Sequence, residues 1–459
     1  MQTIRGRIRI KRGKTMKYFG TDGFRGRAND NLRVEHALKI GQFLGWYYGQ
    51  RVGKTARCVI GKDTRRSSYM FEYGLSAGLT STGAEVNLLH VTTTPSVSYI
   101  VRADKFDFGI MITASHNPYH DNGIKVINSS GYKMEEEVLE KIEEYIDGKV
   151  EIPFSFDNVG RCTDYFQGRN KYISYLSSVP LHSLRGYKIG LDCANGAAFN
   201  IAKTVFDMLG ADTYVINNTP NGTNINVNCG STHIEALQNL VKGNDLDVGF
   251  AFDGDADRCF CVDERGEVVD GDAIMYIGAN YLKERGNLVD NTVVVTVMSN
   301  LGLLNALKDQ GIKTVITDVG DKYISQEIQD HGYSIGGEQS GHVIFDKYAT
   351  TGDGILTAII MADILVERKC VFSNLSRGLT ILPQKLKNIS VPDKNAVMNA
   401  PEVKKFSEEL NQRLDGSGRL LLRKSGTEPV VRIMVEAKTL ADCDKYIEET
   451  EQFINNIVF

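Results

Sequence analysis

A serine in a short polar loop is the first candidate for a chemical role. Ser115 lies in the segment TASHNP (residues 113–118), which directly follows the apolar run Phe108–Ile112. A loop at the end of a strand exposes such a side chain to a ligand while restraining it, and Lys125 could place a positive charge beside the oxygen nucleophile. The G-x-S-x-G elbow of α/β-hydrolases is absent here, so acyl transfer is not expected. A plain turn, in which serine and asparagine cap backbone groups, explains the spacing equally well.

Three aspartates at alternate positions form the second candidate. The segment DGDADR follows the strand-like run Val248–Phe252, and a curled backbone would bring the carboxylates of Asp253, Asp255 and Asp257 onto one cation. Oxygen ligands without Cys or His favour Mg²⁺ over Zn²⁺. The spacing is also that of a calcium EF-hand loop, but Arg258 occupies the position that requires glycine. A solvated acidic turn is the remaining alternative, although like-charge repulsion opposes it when no cation is bound.

Cations, hydroxyls and a glycine are concentrated in one turn near the C-terminus. This segment is RKSGTEP (residues 423–429), and the following strand adds Arg432. A flexible glycine that frees backbone N–H groups, beside hydroxyls and cations, is typical of a phosphate-binding loop. The P-loop pattern G-x-x-x-x-G-K-[ST] occurs nowhere in the chain. A basic surface hairpin is the alternative.

Two weaker candidates lie in glycine-flanked loops. In GGEQSGH (residues 336–342), Glu338 and Ser340 could hydrogen-bond vicinal hydroxyls of a sugar. His342 could donate or accept a proton, although a lone histidine is more often structural. In GTDGFRG, Arg25 offers a charge clamp for an anion. Neither loop alone specifies a reaction.

The pattern around these loops predicts an α/β fold. Runs typical of strands are Arg57–Ile60, Val86–His90, Phe108–Ile112, Tyr187–Leu191, Tyr214–Asn217, Val248–Phe252, Thr292–Val297, Thr314–Thr317 and Tyr333–Ile335. Stretches with helical periodicity are Glu135–Ile146, Ile201–Leu209, Ile234–Val241 and Leu301–Lys308. Such alternation predicts parallel or mixed sheets covered by helices on both faces, with ligands at the carboxyl ends of the strands.

Two changes of pattern indicate boundaries. The stretch Lys149–Gln167 loses helical periodicity and is expected to be a linker. After Pro383 the pattern predicts a smaller α+β domain with two helices, in which the strands Leu420–Arg423 and Val430–Val435 flank the polar loop.

Composition and charge narrow the class of protein. At 459 residues the chain is expected to form about three or four domains. A formal net charge of -4 argues against a nucleic-acid partner. The eight cysteines include no C-x-x-C pair, which favours a reducing compartment and leaves zinc and redox spacings unmatched. Cys259 and Cys261 are expected to be buried thiols on one face of a strand.

Membrane association is not expected. No apolar stretch reaches the 18 to 20 or so residues that span a bilayer. The first fifteen residues are basic and lack the apolar core of a signal peptide. We therefore expect a cytoplasmic protein whose basic N-terminal extension, residues 1–16, is disordered, and Met16 could be the true start.

Taken together, these segments resemble the α-D-phosphohexomutase superfamily, and within it most closely the bacterial phosphoglucosamine mutases. The resemblance runs from about Lys17 to near the C-terminus, in family order. Its segments are KYFGTDGFRGR, TASHNPYHDNGIK, LDCANGAA, PNGTNINVNCGST, AFDGDADRC, GGEQSGHVIF, TTGDGI and LLRKSGTEPVVRIMVEA. Ala256 stands where many relatives have glycine, and the basic segment before Met16 has no counterpart in the family pattern.

The resemblance implies an α/β protein with four domains around a central cleft. The first three are expected to share a common topology with mixed sheets, and the fourth to be a smaller α+β domain. The implied boundaries are 17–165 with the phosphoserine loop, 166–265 with the metal loop, 266–380 with the sugar-binding loop and 381–459 with the phosphate-binding loop.

The resemblance also implies a role for each candidate residue. The catalytic group is Ser115, which carries the phosphate, with His116, Lys125 and Arg25 beside it. The Mg²⁺ ligands are an oxygen of Ser115 or its phosphate, Asp253, Asp255 and Asp257. The sugar-binding residues are Glu338, Ser340 and His342. The residues that bind the unreactive phosphate are Arg423, Ser425, Gly426, Thr427 and Arg432.

The implied reaction interconverts glucosamine 6-phosphate and glucosamine 1-phosphate, on the route to UDP-N-acetylglucosamine. A phosphorylated Ser115 would donate its phosphoryl group to the substrate, giving a 1,6-bisphosphate that turns over within the cleft and returns the other phosphate. Glucosamine 1,6-bisphosphate or another phosphoryl donor would first charge the serine. Lys125 and His342 are the candidates for the general acid or base. The family implies a homodimer.

Three alternative functions stay open from the sequence. One is a phosphoglucomutase or phosphomannomutase of the same superfamily. The three sugars differ at C2, and no residue can be assigned to recognising the substituent there. Another is an aspartyl-nucleophile phosphatase, because Asp253 and Asp255 have the spacing of the haloacid-dehalogenase motif. That family requires Thr or Val at the position of Asp257 and leaves the Ser115 loop unexplained. The third is a sugar-phosphate sensor without turnover.

Overall fold

The computed structural model describes residues 16–154, 157–425 and 429–457. These residues form four β-sheets with seven, five, four and three strands. None of the helices in the described ranges is long and apolar enough to cross a membrane. The basic extension predicted to be disordered lies outside the described residues, except for Met16.

The first sheet has seven strands in the order β1-β2-β6-β5-β3-β4-β7. They are β1 (Phe19–Gly20), β2 (Gly23–Arg27), β3 (Arg57–Lys62), β4 (Glu85–Val91), β5 (Phe108–Ile112), β6 (Asp121–Asn128) and β7 (Cys162–Asp164). The associated helices are α1 (Val34–Val52), α2 (Arg66–Ser81), α3 (Thr94–Ala103) and α4 (Glu136–Ile146). Strands β3, β4, β5 and β7 pair in parallel, whereas β1, β2 and β6 add an antiparallel edge.

Both faces of this sheet are buried, because successive side chains of a strand point to opposite sides. In β3, Cys58 and Ile60 belong to the larger apolar cluster, whereas Val59 belongs to a second cluster. In β5, Phe108 belongs to the larger cluster and Met111 to the second. This two-sided burial explains why the strands are near-continuous apolar runs and why their ends are the places where polar residues begin.

The second sheet has five strands in the order β12-β11-β10-β8-β9. They are β8 (Lys188–Asp192), β9 (Asp212–Ile216), β10 (Val248–Phe252), β11 (Cys259–Asp263) and β12 (Val268–Val269). The helices of this region are α5 (Phe166–Ser177), α6 (Ala202–Met208) and α7 (Glu235–Asn244). Strands β8, β9 and β10 are parallel. Cys259 and Cys261 are both fully buried, as predicted.

The third and fourth sheets are smaller. The third, in the order β14-β13-β15-β16, consists of β13 (Thr292–Thr296), β14 (Lys313–Thr317), β15 (Ile335–Gly337) and β16 (Val343–Phe345). Its helices are α8 (Gly271–Glu284), α9 (Leu301–Asp309), α10 (Asp321–His331) and α11 (Gly354–Arg368). The fourth, in the order β17-β19-β18, consists of β17 (Gln384–Ser390), β18 (Arg419–Lys424) and β19 (Val430–Glu436). Its helices are α12 (Lys394–Asn399), α13 (Pro401–Leu414) and α14 (Leu440–Asn456).

The predicted fold class is confirmed, with three mixed α/β sheets followed by a smaller antiparallel sheet with helices. Three local predictions are wrong. The strand expected at Tyr333–Ile335 begins only at Ile335 and continues to Gly337. The expected linker Lys149–Gln167 contains β7, which pairs with β4 as an edge strand too polar to give an apolar signal. The fourth region has three helices instead of two, because α12 ends at Asn399 before α13 begins.

The described residues form two compact units. The first contains the residues up to Cys259 together with 349–359, and the second contains 260–348 together with the residues from Ile360 onward. The candidate serine and aspartates belong to the first unit. The GGEQSGH segment and the arginine-bearing strands β18 and β19 belong to the second.

Candidate active site

The Ser115 loop connects β5 to β6 and holds its serine in an unusual backbone conformation. Ser115 has φ +52°, the left-handed region that few residues other than glycine adopt. Its backbone N–H donates to Thr113 Oγ1 at 2.9 Å. The residue is only 1% exposed, and its hydroxyl donates to Asp253 Oδ2 at 2.6 Å. The loop therefore aims the hydroxyl at the aspartate cluster.

The three aspartates follow β10 in a curled segment, as the sequence predicts. Ala256, at φ +55°, donates its N–H to the carbonyl of Asp253 at 3.1 Å and so closes a tight turn. One carboxylate oxygen from each of Asp253, Asp255 and Asp257 lies within 4.8 Å of the others, and all three residues are buried. The alternative of a solvated acidic turn is thus wrong.

Lys125 on β6 supplies a positive charge to this cluster. Its Nζ lies 2.9 Å from Asp255 Oδ2 and 3.2 Å from Asp257 Oδ2, and 3.3 Å from Asp22 Oδ2. Burial alone would lower the pKa of this lysine, but the three carboxylates hold it well above its ordinary value. Burial raises the pKa of Asp255, and Lys125 with Thr94 outweighs burial and lowers it to about 2. Lys125 and Asp255 are therefore both ionised at neutral pH.

The pKa of Asp253 is shifted in the opposite direction from that of Asp255. Burial raises its pKa well above the ordinary value, and the neighbouring Asp257 and Asp255 raise it further. Asp255 Oδ1 and Asp257 Oδ1 are buried without a hydrogen-bond partner among the described residues. Buried carboxylate oxygens without partners are costly unless a cation binds them. The donor set, three carboxylates beside a hydroxyl, is one that a hard divalent cation prefers.

His116 lies next to the serine, and burial together with two nearby arginines keeps it neutral. Its Nδ1 is 3.3 Å from Arg258 Nη1, and a guanidinium can only donate, so Nδ1 accepts this hydrogen bond. Burial lowers the pKa of His116 to about 4, with Arg258 and Arg25 adding to the effect. Its Nδ1 is also 3.3 Å from Ser115 Oγ.

Arg25 on β2 is held beside this group through an aspartate. Strands β2 and β6 pair so that Arg25 lies opposite Gly123, two residues from Lys125. The guanidinium of Arg25 pairs with Asp22, whose other oxygen accepts from Lys133 Nζ at 3.0 Å. The structure thus brings together all the sequence-predicted residues of the first unit. They are Arg25, Ser115, His116, Lys125, Asp253, Asp255 and Asp257.

Several residues of this site escape the sequence analysis. Asp22 lies between Lys125, Lys133 and Arg25, whereas the GTDGFRG motif by itself predicts a role only for its arginine. Thr94, at the start of α3, donates to Asp255 Oδ2 at 2.5 Å. Most of these roles become visible only when the fold brings distant segments together. One local signal exists, because an aspartate three residues before a candidate arginine clamp can pair with it.

In the second unit, the GGEQSGH segment forms the turn between β15 and β16. Glu338 N–H donates to the carbonyl of His342 at 3.0 Å, and Glu338 Oε1 accepts from the backbone of Gly320 at 3.2 Å. Ser340 Oγ lies 3.5 Å from Glu338 Oε2. His342 is buried, with Nε2 3.7 Å from Asp321 Oδ2. The three predicted sugar-binding residues are therefore close neighbours in one turn.

The predicted phosphate-binding arginines are register partners on β18 and β19. Arg423 lies directly opposite Arg432. Burial lowers the pKa of Arg423, and the charge of Arg432 lowers it further. Both arginines line a cavity of about 320 Å³. Ser425 is buried, and its carbonyl accepts from Lys394 Nζ at 2.7 Å. The predicted residues Gly426 and Thr427 lie outside the described part of the chain.

Family models match nearly the whole chain. The matching descriptions are phosphoglucomutase/phosphomannomutase alpha/beta/alpha domain I at residues 16–152, domain II at 170–266, domain III at 270–381 and the C-terminal domain at 386–452. The fold is similar to that of a phosphoglucomutase/phosphomannomutase family protein from Burkholderia thailandensis, with a TM-score of 0.78, 22% identity and coverage of 95% of this chain and 96% of the other. It is also similar to the Aspergillus fumigatus N-acetylphosphoglucosamine mutase, with a TM-score of 0.68, 18% identity and 96% coverage of both chains.

Sequence comparison gives a narrower assignment. A phosphoglucosamine mutase from Lachnospira eligens is 58% identical over 444 residues, which is 96% of this chain and 98% of that protein. Identity at this level over nearly the full length favours the mutase over the aspartyl-nucleophile phosphatase that the Asp253 spacing left open. The chain belongs to the phosphoglucosamine mutases, isomerases of the phosphoglucomutase/phosphomannomutase family.

Proposed function

We propose that the chain interconverts glucosamine 6-phosphate and glucosamine 1-phosphate by carrying a phosphoryl group on Ser115. The phosphorylated serine donates its group to the free hydroxyl of the substrate and forms glucosamine 1,6-bisphosphate. Return of the other phosphate to Ser115 releases the isomeric product. Glucosamine 1,6-bisphosphate or another phosphoryl donor charges the serine before the first turnover.

One observation carries this proposal: the hydroxyl of Ser115 lies 2.6 Å from a buried aspartate of the trio. Phosphoryl transfer requires positioning and charge neutralisation more than covalent chemistry by the protein. Lys125, which the carboxylates keep protonated, and Arg25 supply positive charge beside the serine. Because Lys125 is already protonated, it suits charge stabilisation or proton donation better than proton abstraction.

We propose Mg²⁺ as the cation of the aspartate trio. The donors are oxygen atoms, two of which have no hydrogen-bond partner among the described residues, and hard cations prefer such ligands. The Aspergillus fumigatus neighbour has been solved in complex with GlcNAc-6P and magnesium. A bound Mg²⁺ would neutralise charge on the transferring phosphoryl group. Asp253, Asp255, Asp257 and an oxygen of Ser115 or its phosphate would hold it.

Residues of the second unit are proposed to bind the substrate. Glu338 and Ser340, neighbours in one turn, accept and donate hydrogen bonds to sugar hydroxyls, and His342 lies beside them as a candidate proton donor or acceptor. Arg423 and Arg432 bind the phosphate that does not react, together with Ser425, Gly426 and Thr427. The site must bind the phosphate at either end of the sugar. Two neighbouring guanidiniums suit this task, because they recognise the phosphate by its charge and not by the shape of the sugar.

The cellular setting is proposed from the reaction. Glucosamine 1-phosphate is a precursor on the route to UDP-N-acetylglucosamine and the cell wall, which places the enzyme in the cytoplasm. A homodimer is proposed from the family.

The proposal is tested by comparing kcat/KM on the 6-phosphates of glucosamine, glucose and mannose, with the matching bisphosphate present. We expect the highest value for glucosamine 6-phosphate, by about tenfold or more, because one hydrogen bond to a charged amino group contributes about 1.5 to 3 kcal/mol. A preference for glucose or mannose phosphate would replace the assignment with a phosphoglucomutase or phosphomannomutase. Binding of all three without turnover would favour a sugar-phosphate sensor.

A further inference from the structure

Two backbone carbonyls of the Ser115 loop face the protein interior, where each must find a hydrogen-bond donor. They belong to Ser115 and Asn117. Two side chains meet this need, and each of them contacts both carbonyls. Nη2 of Arg65 lies 3.1 Å from Ser115 O and 2.5 Å from Asn117 O. Nδ2 of Asn226 lies 2.9 Å and 3.1 Å from the same two oxygens.

Both donors are themselves fixed. Arg65 is fully buried and pairs through Nη1 with Asp63, a carboxylate that also accepts from Ser68 Oγ at 2.9 Å. Asn226 is 8% exposed, and its backbone N–H donates to Ala194 O at 2.9 Å. Asn226 adopts φ +59°, a conformation that asparagine tolerates better than most residues. Neither side chain can therefore move with the loop at low cost.

A third element closes around the same carbonyl. A Cβ atom at Gly254 would lie 2.5 Å from Ser115 O, so only glycine allows the aspartate segment to approach the loop this closely. The carbonyl of Ser115 is thus enclosed by Arg65, Asn226 and Gly254, which come from three separate segments of the first unit. Rotation of this peptide toward an ordinary negative φ would break the bonds from both donors and turn Oγ away from Asp253.

We infer that Arg65 and Asn226 are positioning residues that hold Ser115 in its left-handed conformation and thereby keep its hydroxyl on the aspartate trio. The inference rests on the proposed function, because it assigns a purpose to the orientation of a phosphoryl-carrying serine. Their effect is on the rate of phosphoryl transfer and not on substrate affinity, since neither side chain is among the proposed sugar or phosphate ligands. Misplacement of a reacting group by about 1 Å costs as much as about 100-fold in rate.

The experiment compares Asn226→Asp with Asn224→Asp. Aspartate matches asparagine in size and tolerance of positive φ but cannot donate to the two carbonyls. Asn224 is the matched control, because it lies in the same segment and its Nδ2 donates locally to Thr219 O at 3.1 Å. Both variants add one negative charge and lose one amide donor, so the difference between them reports the loss of the donor to the Ser115 loop. Arg65→Lys, which keeps the charge but not the fork, is the second variant if Asn226→Asp does not fold.

We expect Asn226→Asp to lower kcat for glucosamine 6-phosphate by about 30-fold or more, with KM changed less than about threefold. Transfer from glucosamine 1,6-bisphosphate to Ser115 should slow by a similar factor, whereas Asn224→Asp should stay within about twofold of the unmodified enzyme. Equal losses in the two variants, a loss confined to KM, or a kcat within threefold of the unmodified enzyme would overturn the inference. Absence of phosphate on Ser115 in the active unmodified enzyme would instead refute the proposed function.

Discussion

The acidic region around the aspartate trio and the basic region around Arg423 and Arg432 differ in how their charges are compensated. In the first unit, the aspartate trio lies against Lys125, and Asp22 lies between Lys125, Lys133 and Arg25. In the second unit, Arg423 and Arg432 lie directly opposite each other on neighbouring strands. The acidic region thus supplies much of its own countercharge, whereas the basic region brings two like charges together.

This difference separates a preorganised reaction centre from an anion-binding site. Ion pairs among buried groups fix geometry, which suits the positioning that phosphoryl transfer demands. Burial lowers the pKa of Arg423, the charge of Arg432 lowers it further, and Asp318 offsets only part of this effect, so an arriving dianion relieves an existing cost. The comparison predicts that changes in the acidic region impair turnover and changes in the basic region impair binding.

The largest effect is expected from Asp255→Asn. This change removes one charge of the trio and weakens its pairing with Lys125 at 2.9 Å, so kcat should fall by about 10³-fold or more, as for other groups that stabilise transferring charge. Steady-state kinetics at several Mg²⁺ concentrations measures the loss. The control is Asp207→Asn, an exposed aspartate paired with Lys203, which should retain activity. Full activity of Asp255→Asn, or full activity in excess chelator, would contradict the metal assignment.

A smaller effect, and a different one, is expected from Arg423→Gln. Loss of one guanidinium from the pair should raise KM for glucosamine 6-phosphate by about 10- to 100-fold, with a lesser change in kcat, because a charge-assisted bond to phosphate contributes about 1.5 to 3 kcal/mol. Lys405→Gln, which changes an exposed lysine of α13 paired with Glu409, is the control and should leave KM unchanged. If kcat fell while KM stayed constant, the division between reaction and binding regions would be wrong.

The smallest effect concerns stability and contrasts two buried aspartates. Lys125 with Thr94 lowers the pKa of Asp255, whereas burial raises the pKa of Asp272 in the second unit to about 7, with Asp270 adding to the effect. The pKa of Asp272 is higher in the folded state than in the unfolded state. Its contribution to stability is therefore fully present below about pH 4 and is lost as pH rises toward about 7. Asparagine cannot ionise, so Asp272→Asn removes this loss. The change that it causes in the free energy of unfolding should be more favourable at pH 8 than at pH 4 by at least about 1 kcal/mol.

Chemical denaturation at pH 4 and pH 8 measures this difference. Asn300 N–H donates to Asp272 Oδ2 at 2.6 Å, and the amide oxygen of an introduced asparagine can accept the same bond. Asp309→Asn, an exposed change on α9, should show no such pH-dependent gain. The same pH dependence in both variants would mean that Asp272 is ionised at neutral pH like an ordinary surface carboxyl.

The local sequence pattern predicts the strands that are buried on both faces, but it does not predict the polar strands. Phe108–Ile112 and Val248–Phe252 are observed with the predicted bounds, because strands buried on both faces leave a continuous apolar signal. The antiparallel strand β2 has no such signal, yet its pairing with β6 brings Arg25 near Lys125. The polar strand β7 likewise leaves no apolar signal in the sequence.

The candidate site shows the same division. The aspartate trio could be predicted, because its spacing and its glycine and alanine lie in one short segment. The contacts of Arg65 and Asn226 with Ser115 could not, because they join residues 50 and 111 positions apart. Such contacts depend on which distant segments the fold brings together, and the local periodicity of apolar residues does not predict them.

The most direct test of the central claim is to find the covalent phosphate. The enzyme is incubated with glucosamine 1,6-bisphosphate and Mg²⁺, digested, and analysed by phosphopeptide mass spectrometry, with Ser115→Ala as the control. We predict phosphate on Ser115, its transfer to added glucosamine 6-phosphate, and neither phosphate nor turnover in Ser115→Ala. Phosphate on Asp253, or sustained turnover by Ser115→Ala, would contradict the account.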